Sequence, residues 1–534
     1  MNPEPLLAVG DIQGNSLGGF NKDHQALIPI QFGDDISNLK MWLATVPLTD
    51  LSTVVRFKRK MKQRISEDLP VDDMQALWTN ICFTWKGLQK LAPSAEQFTD
   101  AVFRDGLDDA ASLAIGDNST SGAPGERSTW SIGAPKTVPD MLVIVASDRP
   151  EPLDEAVNRI CGSLVDAGCS ILKVDIGRDL SFFSTPDLKY PSGHEHFGFK
   201  DGISQPAVRG RVSDNATDWL MPRPASKAGP STDIEYAEPG QALVWPGEFV
   251  FGYAKQSLGA ARLSVSGRKV GPPPPAAPDP TAVVPWWGAN GSYLVYRRLQ
   301  QNVAAFRSFT ISAAEQASVD LGNAVSADRL ASLLVGRWPS GAPIELSPGT
   351  DDPELGQDDN RNNDFDLSND DNGSVCPLAA HIRKVNPRNV GTDQGAPSRT
   401  LVRRLLRRGI PYGAPLPRGA APDGQDRGLL FLSYQTDIQE QFMFLASNWA
   451  NTANLPVAAV NQPSPDQPVG DGYDMVIGQA PTQDRVRFCV IHDGSGTSRL
   501  TTAGVMAKEW IVATGGGFFF SPSISAVRDV LARS

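Results

Sequence analysis

Two stretches of the chain repeat one hydrophobic pattern. The unbroken apolar run Leu142-Val-Ile-Val145 is followed by apolar residues at Leu153, Val157, Ile160 and Leu164. The run Leu429-Leu-Phe-Leu432 is followed in the same spacing by Ile438, Phe442, Leu445 and Trp449. That spacing puts each quartet on one face of a helix, and a short continuous apolar run is the signature of a strand covered on both sides. A strand–helix unit in each half predicts two related α+β lobes. Further strands are predicted at Thr79–Trp85, Ser170–Val174, Glu248–Tyr253, Ser292–Tyr296 and Gly517–Phe520. Helices are predicted at Trp85–Leu91, Ser326–Trp338 and Ser523–Ala532.

Two segments break this texture. Gly271–Pro285 is proline-rich, with a looser stretch at Pro222–Asp233, and Thr350–Asn372 sets nine acidic residues against the single Arg361. Neither holds enough apolar surface to pack alone, so both read as surface insertions or linkers, the second as a solvated acidic loop. The expected division is an N-terminal lobe over 1–225, a proline-rich join over 226–290, and a C-terminal lobe over 291–534 that carries the acidic loop 350–372. The chain has 534 residues, 40% of them hydrophobic and 20% charged, which fits a folded globular protein able to bury a core without disulfides. A net charge of −11 argues against a nucleic-acid partner, which needs a basic stripe to neutralise phosphates. The five cysteines form no CxxC pair, so reduced thiols are expected. The start of the chain lacks a basic, apolar leader and no apolar run reaches the roughly 18 residues of a membrane span. A cytoplasmic protein without a membrane partner is the expectation.

Histidine is scarce, with five in all. His381 sits in Val375-Cys-Pro-Leu-Ala-Ala-His-Ile-Arg-Lys-Val-Asn-Pro-Arg388, where Pro377 suits a first helical position and Asn386-Pro387 an end. An imidazole on such a segment can ligate haem iron while Arg383, Lys384 or Arg388 meets a propionate; it can equally be a buried histidine bonded to backbone. Asp201 lies between two glycines in Gly198-Phe-Lys-Asp-Gly202, as an acid–base group in a tight pocket or as a plain Asp-Gly turn. His194-Glu-His196 places two imidazoles on one side of a strand, half of a metal site with nothing nearby to complete it. Leu401-Val-Arg-Arg-Leu-Leu-Arg-Arg408 reads as a basic helix end stopped by Gly409, or as a source of one inward guanidinium for an anion such as a peroxide. Gly494-Ser-Gly and Gly515-Gly-Gly517 lack the residues of a phosphate loop and read as turns.

Six segments, in order, resemble the dye-decolorising peroxidase family. They are Asp11-Ile-Gln-Gly-Asn15 with Gly19-Phe20, Glu195 to Pro206 with its GxxDG signature, and His381 to Arg388 as the proximal haem segment. Leu406 to Gly413 follows as the distal arginine segment, then Gly428 to Gln435 and Gly515 to Pro522. The long insertions resemble the family's larger, cytoplasmic branch. The resemblance implies two ferredoxin-like lobes with antiparallel sheets and peripheral helices, and one haem b per chain. It implies His381 as iron ligand, Asp201 as distal acid–base group, and Arg407, first of the Arg-Arg-Gly step, as distal cation. Leu429 and Phe431 would line the haem, with Arg383 and Arg388 as candidates for the propionates. The implied activity is reduction of hydrogen peroxide with one-electron oxidation of dyes, phenols or other aromatic donors. A haem-handling protein on the same fold, with incidental turnover, is the second reading.

Overall fold

Leu142 and Val143 point to opposite faces of one strand and both are buried, because that strand belongs to a closed ring with helices outside it. The computed structural model describes residues 4–71, 73–118, 122–223, 234–256, 283–456, 471–480, 485–492, 496–502 and 509–533. Nine strands carry the architecture. In the first half these are β1 (His24–Gln31), β2 (Leu77–Phe83), β3 (Met141–Ser147) and β4 (Asp175–Arg178). In the second half they are β5 (Ser292–Gln301), β6 (Leu406–Arg407), β7 (Ile410–Tyr412), β8 (Gly428–Gln435) and β9 (Ile511–Ser521).

Antiparallel pairing runs β4–β1–β3–β2 in one half and β9–β5–β8–β7 in the other. Numbered within its own half, each is the ferredoxin-like order, so the two lobes share one topology. They join edge to edge twice, with Phe83 opposite Phe520 and Gly177 opposite Tyr412. Because β7 pairs with both β4 and β8, the ring closes into a barrel and leaves these strands no open edge. Short β6 pairs with β8 outside the ring.

Alternation along the strands then sorts the core into two layers. Leu27, Leu142, Ile144, Leu294, Leu432 and Phe519 fill one cluster inside the barrel. Ile28, Val143, Val145, Val295 and Phe520 belong to another, on the outer face beneath the helices. Of the helices, α1 (Gly14–Leu17) and α3 (Leu51–Ser66) bury Leu17, Leu51 and Val54 in the inner cluster, while outside lie α2 (Ser37–Thr45), α4 (Pro150–Asp166), α5 (Val303–Leu321), α6 (Ala327–Val335) and α7 (His381–Val385). α3 is started by the Asp50 carboxylate, which accepts from Thr53 N at 2.7 Å. α6 stops at Gly336, which takes a left-handed φ of 93°. The quartet Leu153, Val157, Ile160 and Leu164 lies on α4 and is buried under β3. The second quartet lies on a helix of π-type turns over Ile438–Met443 and Leu445–Ala450, with Ile438, Leu445 and Trp449 buried. No helix among the described residues is long and apolar enough to cross a membrane. All five cysteines are free thiols, and only Cys161 is not fully buried.

Several expectations need correcting. Glu248–Tyr253 is one tight helical turn and bends, not a strand; a short apolar run buried in a turn has the same sequence pattern as one in a sheet. Gly515–Gly517 lie within β9, not in a turn, where the chain passes so close to β5 that a Cβ on Gly516 would sit 2.7 Å from Tyr296 O. The acidic segment 350–372 is not a solvated loop. Leu367 is fully buried, and Asp370 is buried in an ion pair with Arg383 at 2.8 Å. The segment 401–408 does not run as a helix to Gly409: a 3-10 helix over Pro397–Arg403 ends at Arg403, and the chain passes into β6. The helix of His381 starts at His381, not Pro377, because Asp370 accepts from Val375 N and Cys376 N and holds that stretch as a loop. The proline-rich 271–282 and the tail of Pro222–Asp233 lie outside the described residues, as do Gly494 and Ser495.

Candidate active site

On the outer face of the second half the layers do not close. A cavity of about 370 Å³, within the range of cofactor sites, opens between β5, β8 and β9 and the elements around them. It collects Asp201, Arg407, His381, Arg388, Leu429 and Phe431 from four separate segments. Arg383 does not line it. Two residues beyond His381 on α7, its guanidinium turns to Asp370 and to Cys376 O at 2.7 Å, so it is a structural ion pair and not a cavity cation.

Asp201 owes its place to a tight hairpin. Glu195 N donates to Phe199 O at 3.0 Å and Asp201 N to Gly193 O at 2.9 Å. Gly198 and Gly202 take φ of 102° and 79°, values that favour glycine, which is the physical content of the GxxDG spacing. The Glu195 carboxylate folds back over the turn, accepting from Phe197 N and Phe199 N at 2.9 Å each and from Gln301 Nε2 at 2.6 Å. The Asp201 side chain is 39% accessible, on a residue that lines the cavity. Strand alternation at β6 sends the Arg407 side chain to the cavity, where it meets Asp201 Oδ1 at 2.9 Å and Ser204 O at 3.2 Å. Gln205 locks the two segments together: its amide donates to Arg407 O and accepts from Arg407 N, both at 3.2 Å. Burial would push the Asp201 carboxyl up, but Arg407 and the Gly202 N–H outweigh it and hold its pKa below the ordinary carboxylate value.

His381 is oriented by a residue that sequence reasoning missed. Its Nδ1 lies 2.7 Å from Oδ2 of Asp474, a fully buried carboxylate whose other oxygen accepts from Val476 N and Ile477 N. A carboxylate only accepts, so Nδ1 carries the hydrogen, and the lone pair of the neutral imidazole lies on Nε2. Burial pulls the imidazole pKa down, yet Asp474 overrides it and the pKa stands above its ordinary value. Ninety-three positions separate the partners and no local pattern links them. Asn386 Nδ2 ties the end of α7 to Ser204 Oγ at 3.2 Å, so the His381 segment and the Asp201 loop form one unit.

Four cations line the cavity without a carboxylate partner among the described residues: Lys200, whose Nζ donates to Gly356 O at 3.0 Å, Arg337, which is engaged by Gly341 O, Asn362 O and Asn363 Oδ1, and Arg388 and Arg404. Arg388 bonds to Asn363 O at 2.9 Å and stacks on the Phe365 ring at 3.6 Å. The Arg404 guanidinium, from the four-arginine segment in which Arg407 is singled out, donates to Thr400 Oγ1 at 3.3 Å, and burial pushes its pKa down to about 10. An imidazole nitrogen open to a metal, guanidinium groups without a carboxylate partner and apolar Leu429 and Phe431 are the donor set that suits an iron porphyrin with two carboxylates. The residues present fit the group. His194 and His196 do not make half a metal site: His194 lies between Ser192 O and Pro339 O, and His196 Nε2 meets Tyr412 O at 2.8 Å.

Comparison with known proteins agrees. Residues 11–175 match the DyP dimeric alpha+beta barrel domain and residues 345–462 the C-terminal domain of Dyp-type peroxidases. Dye-decolorizing peroxidase msp1 of Mycetinis scorodonius is 30% identical over 98% of this chain and 88% of its own length. AauDyP1 of Auricularia auricula-judae is also 30% identical, over 98% of this chain and 86% of its own. Among solved structures, an ancestral D-type dye-decolorising peroxidase superposes with a TM-score of 0.72 at 30% identity, covering 98% of this chain and 99% of that one. A dye-decolorising peroxidase solved with 2,6-dimethoxyphenol does so at 0.69 and 28%, covering 99% of this chain and 100% of that one. The chain belongs to the dye-decolorising peroxidases, a family of haem-dependent oxidoreductases, and is a peroxidase.

Proposed function

We propose that His381 holds the iron of one haem b through Nε2, and that Asp201 and Arg407 act together on hydrogen peroxide. The observation that carries this is the single cavity joining a carboxylate-anchored imidazole to a carboxylate–guanidinium pair. When bound, the haem supplies the iron and the redox equivalents. Arg388 and Arg404 are the groups suited to its propionates, since each is a cavity guanidinium without an anion, whereas Arg337 already donates to three oxygens of neighbouring loops.

The chain's own part is proton management and exclusion. Asp201, ionised well into acid, takes the proton from the inner oxygen of hydrogen peroxide and returns it to the outer oxygen, so that water leaves. Arg407 carries the negative charge that builds on the departing oxygen and keeps Asp201 ionised between events. Leu429 and Phe431 face the same space, and Phe431 leans on Phe442 with ring centroids 6.0 Å apart, so this wall is apolar. Water and bulky donors are thereby limited near the reacting atoms. The donors are dyes, phenols or other aromatics that give up one electron at a time, as the relative solved with 2,6-dimethoxyphenol supports. A haem-handling role is less well supported: a carrier has no use for the Asp201–Arg407 pair, and the near full-length relatives are peroxidases.

An absorption spectrum of the haem-supplemented protein, with and without peroxide, tests this reading. A Soret band that changes on adding peroxide, together with dye oxidation, is expected; His381→Ala should lose the band. A parent chain that takes up no haem would end the proposal, and one that binds haem but leaves peroxide and dye untouched would favour the haem-handling role.

A further inference from the structure

The N-terminal segment Asp11 to Phe20 lines no part of the cavity, yet it reaches the site through one side chain. Where β6 sends Arg407 to the cavity, the next residue, Arg408, points the other way, onto the last carbonyls of α1. Its Nε donates to Asn15 O at 3.1 Å, and one terminal nitrogen donates to Leu17 O at 3.0 Å and Ser16 O at 3.5 Å. The other terminal nitrogen returns to the carbonyl of Arg407 at 2.9 Å. A short helix has no internal partner for its final carbonyls, so a guanidinium set among them satisfies several at once.

The receiving end is built to hold still. Asn15 is fully buried, its N–H donates to Asn80 Oδ1 at 2.8 Å, its side chain donates to Tyr434 Oη at 3.2 Å, and its Oδ1 accepts from Phe20 N at 2.8 Å. α1 is thus pinned to β2 and β8. Gly19 takes a φ of 70°, and a Cβ there would stand 2.5 Å from Arg408 Nε and 2.9 Å from Cζ. The glycine leaves the room that the guanidinium occupies. Burial lowers the Arg408 pKa to about 10, so it remains a cation at neutral pH.

We infer that Arg408 is a positioning residue: it anchors the main chain of Arg407 to α1 and thereby fixes where the Arg407 guanidinium stands beside Asp201. The main chain of Arg407 is then held twice, by Gln205 from the Asp201 loop and by Arg408 from the N-terminal segment. A long arginine stem is only as well placed as its backbone, and small displacements at a reacting group are costly. This inference rests on the haem-peroxidase reading above.

The test is cyanide binding to the haem-loaded full chain, followed by the Soret shift, because a ligand at the iron senses Arg407 without turnover. Arg408→Met, with haem loading equal to the parent, is expected to weaken cyanide affinity about tenfold. Gly19→Ala, which crowds the guanidinium without removing it, is expected to act in the same direction and by less. In an Arg407→Leu background, Arg408→Met should change the affinity by less than about twofold, since two residues acting through one group do not add. Unchanged cyanide affinity in both Arg408→Met and Gly19→Ala would overturn the inference. So would an undiminished effect of Arg408→Met in the Arg407→Leu background. A parent chain that loads haem yet shows no cyanide shift would overturn the distal-site reading itself.

Discussion

The two halves of the barrel share one topology and differ in what lies over their outer faces. In the first half Val143 and Val145 of β3 share one buried cluster with Leu153, Ile160 and Leu164 of α4. In the second half the corresponding strand presents Leu429 and Phe431 to a cavity, and the helix that follows it is wound in π-type turns. The connections differ as well. Between α3 and β2 the chain uses residues 67–76, whereas between α6 and β6 it uses residues 336–405, and that longer passage brings in His381, Arg388 and Arg404. A sheet and a helix with well-matched apolar faces close up; here a long insertion wedges polar and cationic groups beside the sheet and keeps the layers apart. The site is therefore the half of a duplicated plan that was prevented from packing.

The comparison breaks most visibly at the distal pair. Asp201→Asn should slow the reaction with peroxide by about 10²–10⁴-fold in stopped flow, with haem retained. Arg407→Leu should slow it by about 10²–10³-fold and also move its pH dependence. In the parent the carboxylate is kept ionised by Arg407, so the rate should hold until the pH falls below the ordinary carboxylate range. Without the cation, burial dominates, the Asp201 pKa rises, and the acid limb should shift to higher pH. A limb that stays in place would separate Asp201 from the titration.

Asp474→Asn removes the acceptor that orients His381 and should weaken haem retention by about 10–100-fold, measured by transfer to apomyoglobin. The smallest effects on chemistry belong to the packed half. Leu153→Ala, at a fully buried position, should cost about 2–5 kcal/mol in urea unfolding while the folded fraction turns over normally. Phe431→Ala should cost well under the roughly 3–5 kcal/mol of a fully buried phenylalanine, because it already faces a cavity, while admitting larger donors. Equal stability costs for the two would mean that the faces do not differ as described.

Much of this was legible in the chain. The repeated strand–helix pattern marked both lobes, and the ordered segments around Asp201, His381 and Arg407 pointed to one family before any coordinates. Patterns of that kind are readable because a helix or strand face is set by near neighbours. What could not be read were partners fixed by long-range closure: Asp474 under His381, Arg404 facing the cavity, and Glu195 and Gln205 bracketing the Asp201 loop. The same limit misplaced Arg383 and made the acidic segment look solvated, since burial of Asp370 depends on a partner thirteen positions away.

The order of residues by itself determined which side chains were available, which local turns would form, and that two similar units would arise. Only the tertiary structure decided that the units would close on each other, that one outer face would stay open, and which charged groups would be left there without a match. The physical reason is range. Backbone preferences and apolar periodicity act over a few residues, whereas the pKa of a carboxylate and the freedom of an imidazole nitrogen depend on whatever the folded chain places within a few ångströms.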